Sequence, residues 1–249
     1  MRRVAALYDI HGNLPALEAV LEEIRHAEVD HIVVGGDVLP GPMPRESLAM
    51  LRDIDIPLTC IRGNGDRAVL EVIDDVESAA VPEFFKASMR WVAAQLDAQD
   101  ARELRSWPQT TRIQMPTLGA VLFCHATPRS DTEIFTRLTS AEALVPLFDG
   151  LGVDVAVCGH THMQFDRMVG QTRLVNAGSV GMPFQAAGAY WLLLDADVRL
   201  MRTHYDLAGA AAQIRETGYP LAESFAAQNV LQPPSEESML ATFAKVQLT

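Results

Sequence analysis

Five times along this chain a short apolar run stops at a polar residue carrying a metal-type donor atom. Val4–Tyr8 runs into Asp9-Ile10-His11, Ile32–Val34 into Gly35-Gly36-Asp37, and Pro57–Ile61 into Arg62-Gly63-Asn64. Ala120–Cys124 stops at His125, and Val153–Cys158 at Gly159-His160-Thr161-His162. Runs this short, bounded by glycine and polar residues, read as buried strands. In open α/β sheets the loops that leave the carboxyl ends of strands converge on ligands, and the sheet holds them rigidly. The arrangement demands strands whose ends meet at one place.

The segments between these runs set the fold class. Asn13 and Pro15, followed by Leu14, Leu17, Leu21 and Ile24, read as a capped helix start with an apolar stripe behind it. A second helix is expected over Arg45–Arg52. Strand and helix in alternation predict a largely parallel sheet in the first half. Pro82–Gln95 and Asp97–Trp107 read as two helices, an insertion near 80–107. Three hairpins then follow, Thr110–Met115 with Ala120–Cys124, Phe165–Met168 with Thr172–Val175, and Tyr190–Leu194 with Val198–Thr203. Thr139-Ser140-Ala141-Glu142 resembles a capping box opening another helix. Gln232-Pro233-Pro234-Ser235 reads as a linker to a short helix, Glu236–Val246. The expectation is one α/β domain over 1–249, with a core of about 4–205 and a helical tail of about 206–249.

A formal net charge of −12 disfavours an extended polyanion as substrate, because no basic run longer than Arg2-Arg3 offers a local stripe. No apolar run is long enough to span a bilayer, and the stretch before Asp9 is too short for a signal h-region. Cys60, Cys124 and Cys158 make an odd, widely spaced set. A disulfide framework is not expected, and a cytoplasmic setting fits best. Cys124 and Cys158 read as small buried strand residues rather than thiolate ligands.

Asp9, His11, Asp37, Asn64, His125, His160 and His162 together supply two carboxylates, one amide oxygen and four imidazoles. That set suits two divalent cations of the Mn, Fe, Ni, Zn or Co type and needs no thiolate. Asp37, alone on its loop, is the natural bridge. Two cations about 3.5–4 Å apart are a standard device for phosphate-ester hydrolysis, activating water and drawing in the phosphoryl group. Asp37 and Asn64 are the candidate catalytic residues, and Arg67 and Arg129 are candidate phosphate clamps. His26, His31 and His204 lie outside the set.

The order D-x-H, G-D, G-N, H, G-H-x-H resembles the calcineurin-like metallophosphoesterases, above all their small bacterial and archaeal phosphodiesterase branch. Gly12-Asn13-Leu14-Pro15-Ala16-Leu17, Gly41-Pro42 and Asn176-Ala177-Gly178-Ser179-Val180-Gly181 extend the likeness over about Val4–Thr203. The resemblance implies a two-sheet mixed β-sandwich flanked by helices. It implies one metal on Asp9, His11, Asp37 and His162, and a second on Asp37, Asn64, His125 and His160. It also implies in-line attack of a bridging hydroxide on a metal-bound phosphoryl group, and the leading reading is a phosphodiesterase acting on a small nucleotide-like phosphodiester or phosphoanhydride.

The sequence departs from the family at Gly63-Asn64-Gly65-Asp66. Gly65 stands where the family has the His that is its candidate general acid, a function worth about 10²–10⁴ in rate. The departure predicts preference for good leaving groups, and leaves Asp66 as a loop cap or a partner of Arg67. A rival reading is a non-catalytic protein that holds metals and a phosphorylated ligand. A metallo-β-lactamase-like site is set aside because Met163-Gln164-Phe165 lacks the Asp and His its motif needs. No G-x-G-x-x-G follows the first strand, so a dinucleotide-binding reading fails. The helices of 80–107 either cap the site or pack on a sheet edge. The last helix packs on the body or on a second subunit, so a homo-oligomer stays open.

Overall fold

The computed structural model describes residues 3–76, 81–246 and 248. Arg2 of the basic pair, residue 80 of the helical insertion, and residues 247 and 249 of the tail lie outside the described residues. The strands are β1 (Val4–Leu7), β2 (His31–Val34), β3 (Leu58–Cys60), β4 (Thr110–Met115), β5 (Gly119–Cys124), β6 (Val155–Cys158), β7 (Phe165–Val169), β8 (Thr172–Asn176), β9 (Ala189–Leu194) and β10 (Val198–Thr203). The helices are α1 (Leu14–His26), α2 (Pro44–Arg52), α3 (Asn64–Ile73), α4 (Glu83–Gln95), α5 (Ala98–Ser106), α6 (Ala141–Phe148), α7 (Leu207–Glu216), α8 (Ala222–Phe225) and α9 (Glu236–Phe243). A π-helical turn, Ala226–Leu231, continues directly from α8.

The strands form two five-stranded sheets, ordered β10-β9-β1-β2-β3 and β4-β5-β6-β8-β7. In the first, β1, β2 and β3 are parallel, with Val4 opposite His31 and Ile32 opposite Leu58. The β9–β10 hairpin joins its other edge, antiparallel to β1. In the second, β5, β6 and β8 are parallel, and β4 and β7 close the edges antiparallel.

Alternation along each strand sorts its side chains between layers. Val4, Ala6 and Tyr8 face the other sheet, where they meet Val121, Phe123 and Val157 in the inter-sheet core. Ala5 and Leu7 face outward with Trp191 and Leu193, under Leu17, Val20 and Ile24 of α1. On the opposite outer face Leu144, Leu147 and Phe148 of α6 cover Ala156, Cys158 and Leu174. The result is the expected mixed sandwich with helices outside both sheets.

This topology brings the polar pieces together. Asp9, Asp37 and Asn64 leave three adjacent parallel strands of one sheet, and His125 and His160 leave two adjacent parallel strands of the other. Two local readings need correction. Asn64–Ile73 is a helix, an element the sequence pattern does not predict. Ser140, not Thr139, caps α6, its hydroxyl accepting from the Ala143 N–H at 3.3 Å.

Candidate metal centre

Each ligand loop must reverse direction within two residues of its strand, and the backbone shows it. Asp9 (φ 54°), His11 (48°), Asp37 (52°), His160 (63°) and His162 (57°) all occupy the left-handed region. Asp and His enter that region more readily than most residues, yet each such residue still costs about 1 kcal/mol or more. The loops are held there by one another. Asp9 N–H donates to Gly36 O (3.1 Å), His11 N–H to Asp37 O (3.0 Å) and Gly159 N–H to His125 O (2.8 Å). The end of β8 and the segment after it fasten the remainder. Asn176 Nδ2 donates to Gly159 O (2.7 Å), and Ser179 Oγ donates to Asp9 O (2.7 Å).

The seven predicted ligands are brought to one place. Asp9, His11 and His162 form one group and Asp37, His125 and His160 another. Asp37 Oδ2 lies 3.8 Å from His11 Nε2 and 3.4 Å from His125 Nε2, between the two groups. Asp9 Oδ1 lies 3.4 Å from His162 Nε2, is fully buried, and accepts no hydrogen bond. A buried, unpartnered carboxylate oxygen is costly unless a cation takes it.

The imidazoles carry the same signature. His11 Nδ1 faces Pro40 O (3.2 Å), His125 Nδ1 faces Gly35 O (3.0 Å) and His162 Nδ1 faces Met182 O (2.7 Å). Each ring therefore spends one nitrogen on a carbonyl and turns Nε2 inward, the usual orientation of metal-ligating histidines. His11 Nε2 and His162 Nε2 approach to 3.3 Å. The Asn64 amide group that faces His125 Nε2 (3.0 Å) also faces His160 Nδ1 (2.9 Å) and the Asp131 carbonyl (3.0 Å). With oxygen in that position it meets only acceptors, which a cation would reconcile. With the amide turned over, its NH₂ faces all three acceptors with two hydrogens to donate. The donor set fits dications.

Without cations the site is strongly polarised. Burial opposes charge on His125, but Asp37 and then Asp9 outweigh it and push the ring up to about 10. Burial and the His125 charge push His160 down to about 4. Burial would raise the Asp37 carboxyl, yet His125, His11 and His160 hold it well below the usual range.

Asp66, left undecided from sequence, is a buried tether. Its Oδ2 accepts from the N–H groups of Asp37 (2.9 Å) and Gly63 (3.0 Å), and its Oδ1 from that of Leu39 (3.0 Å). It pins the Asp37 loop to the start of α3. Gly65 is likewise positional. A Cβ there would overlap the Leu39 carbonyl oxygen and crowd Pro40 Cδ at 2.8 Å, so no side chain fits where the family's His stands. The Gly65 N–H instead donates to Asp37 Oδ1 at 2.7 Å.

A cavity of about 550 Å³ opens over the centre, with His11, Asp37, Asn64, His160 and His162 on its floor. Arg67 lines it, but its guanidinium is engaged by Asp131 (2.7 and 3.1 Å) and Glu71 (2.7 Å). Arg129 does not line this cavity; it is exposed and paired with Glu133. Phe84, Phe85 and Met89 of α4 form part of the wall, while α5 packs away from it, with Asp100 paired to Arg52 of α2.

The sequence matches the family model of the calcineurin-like phosphoesterase superfamily domain over residues 2–199. The chain belongs to that superfamily, and with it to the metal-dependent phosphoric ester hydrolases. Phosphodiesterase YfcE of Escherichia coli is 27% identical over 200 residues, covering 80% of this chain and 90% of YfcE. A metallophosphoesterase from Sphaerobacter thermophilus is 26% identical with a TM-score of 0.68, covering 91% of this chain and 97% of the other. A hypothetical protein from Pyrococcus horikoshii shares the fold at 21% identity, TM-score 0.79, over 94% of this chain and 100% of its own. Among the described residues no helix is long and apolar enough to cross a membrane.

Proposed function

We propose that this protein is a dinuclear-metal phosphodiesterase acting on a small nucleotide-like phosphodiester or phosphoanhydride. Asp9, His11, Asp37 and His162 would hold one dication, and Asp37, Asn64, His125 and His160 the other. The observation that carries the reading is Asp37 Oδ2, which lies within 3.8 Å of a ring nitrogen from each ligand group. Bound there, such ions supply Lewis-acid polarisation of the phosphoryl group and activation of water. The chain's own part is positional. The backbone ties hold the donors before substrate arrives, so little reorganisation accompanies reaction. Asn64, at the first turn of α3, presents its amide to His125 and His160 at the floor of the cavity. Similarity to YfcE supports the diester class. Three free cysteines suit a reducing, cytoplasmic compartment. The tail after residue 205 is assigned to the same domain because Tyr219 and Phe225 wall the cavity.

The test is hydrolysis of bis(p-nitrophenyl) phosphate by Mn²⁺-loaded protein, with bound metal counted. Two ions per chain and turnover that Asp37→Asn abolishes are expected. Two ions without turnover would favour a non-catalytic ligand-binding protein, the reading to which Gly65 lends support. A single ion per chain refutes the dinuclear assignment. Faster turnover of an alkyl monoester than of the aryl diester would refute the leaving-group preference.

A further inference from the structure

The family match ends at residue 199, yet much of the cavity wall lies beyond it. Tyr219, Phe225, Gln228 and Asn229 come from the α7–α8 connection, α8 and the π-helical turn, and share the lining with Phe84 and Phe85 of α4. The rings pack on one another: Phe84 on Phe85 at 4.2 Å between centroids, and Tyr219 edge-on to Phe225 at 6.4 Å. Phe184 stacks on His162 at 4.6 Å and 21°, which makes the aromatic lining continuous with the ligand cluster. A chamber of flat rings with two amide side chains is chemically specific. Flat rings stack on aromatic faces, and amides pair with the donor–acceptor edge of a heterocycle. π-Helical turns recur at functional sites. The charges exclude a second group of substrates. Among the described residues lining the cavity, Arg67 is the only Arg or Lys, and with Asp131 and Glu71 it forms a group of formal charge −1. Beyond the ligand cluster nothing there compensates a further phosphate.

We propose that this chamber selects a diester with a single phosphoryl group bearing one planar heteroaromatic ring of nucleobase size, stacked on Phe84 and Phe85 and read at its edge by Gln228 and Asn229. The cavity, about 550 Å³, falls in the usual range for small-molecule sites. The inference rests on the phosphodiesterase reading for its chemistry, but its binding preference can be measured without turnover.

The experiment is titration calorimetry on Mn²⁺-loaded protein with adenosine 5′-monophosphate, ribose 5-phosphate and adenosine 5′-diphosphate. The monophosphate is expected to bind about tenfold tighter than ribose 5-phosphate, and the diphosphate to add no more than about threefold. Phe84→Ala and Gln228→Ala, both at exposed positions where truncation spares the core, are expected to bring the monophosphate down toward the ribose 5-phosphate level. Equal affinity for the base-bearing and base-free ligands overturns the proposal. So does a loss in the variants that is the same for both. A tenfold or larger gain from the second phosphate overturns the single-phosphoryl part and points to polyphosphates. The two readings fail separately: base preference without diester turnover refutes only the activity, and turnover without base preference refutes only the chamber.

Discussion

Asp66→Asn tests whether one buried carboxylate holds two ligand loops in place. The carboxylate accepts three buried N–H groups, from Asp37, Gly63 and Leu39. A carboxamide has one acceptor atom. With its oxygen in the Oδ2 position it keeps the Asp37 and Gly63 bonds, and its NH₂ then faces the Leu39 N–H, donor against donor. The orphaned N–H costs roughly 1–3 kcal/mol, and the two retained bonds each weaken by about 1 kcal/mol as the acceptor loses its charge. An opposing gain exists, because burial and the nearby Asp37 already push the Asp66 carboxyl up to about 7. That gain offsets the two weakened bonds, and the orphaned N–H leaves a net loss of about 1–3 kcal/mol, or roughly 2–12 °C in melting temperature for a domain of this size. The assay is thermal unfolding in chelator, so that metal does not mask the change, followed by metal titration of the same variant. Affinity at the Asp37–Asn64 half should fall about 10–100-fold, the usual effect of losing a group that orients ligands. A melting temperature within a degree of the parent, with metal affinity intact, would refute the tether.

Gly65→His should not restore a general acid. Its Cβ overlaps the Leu39 carbonyl, so about 1–3 kcal/mol of stability is lost and alkyl monoester turnover does not rise; a rise would show that the loop yields. Metal uptake should release protons. His125, pushed up to about 10 by Asp37 and Asp9, carries a proton at pH 7 in the metal-free site and must shed it to bind a cation; Asp9 raises His162 in the same direction. Apparent affinity should therefore climb with pH above 7, as calorimetry in buffers of different ionisation enthalpy would show; pH-independent affinity contradicts it. Ser179→Ala removes the hydroxyl that donates to Asp9 O and accepts from Met182 N–H. Metal affinity of the Asp9 group should drop several-fold with little change in the Asp37 group, measured as two separate binding steps.

The ligand residues were legible because each announces itself locally, a Gly-Asp, Gly-Asn or His-x-His directly after an apolar run. Convergence was legible too, since parallel neighbours end on the same side. Less visible was whatever depends on close approach in three dimensions. Helix α3 begins inside a ligand motif, where Asn64 and Gly65 are weak helix formers, and its start is set by the Asp66 side chain reaching back to the Gly63 N–H. Gly65 looks like a deleted side chain in one dimension and is a steric requirement in three. The carbonyls that orient His11, His125 and His162 belong to Pro40, Gly35 and Met182, backbone atoms that no motif encodes. Of the two candidate clamp arginines, only Arg67 reaches the cavity, because α3 turns it inward while Arg129 folds onto Glu133.

The left-handed residues change how the centre should be dissected. At Asn64 and His125, where the backbone is ordinary, alanine deletes a donor and little else. At Asp9, His11, Asp37, His160 and His162 alanine must also adopt a dihedral that a bare Cβ resists, with no polar group to offset it. Scanning with alanine would mix conformational penalty with lost coordination at those five positions. Glycine, which accepts positive φ and brings no donor, is the cleaner replacement there, and the difference between the glycine and alanine variants at one position would measure the torsional share by itself.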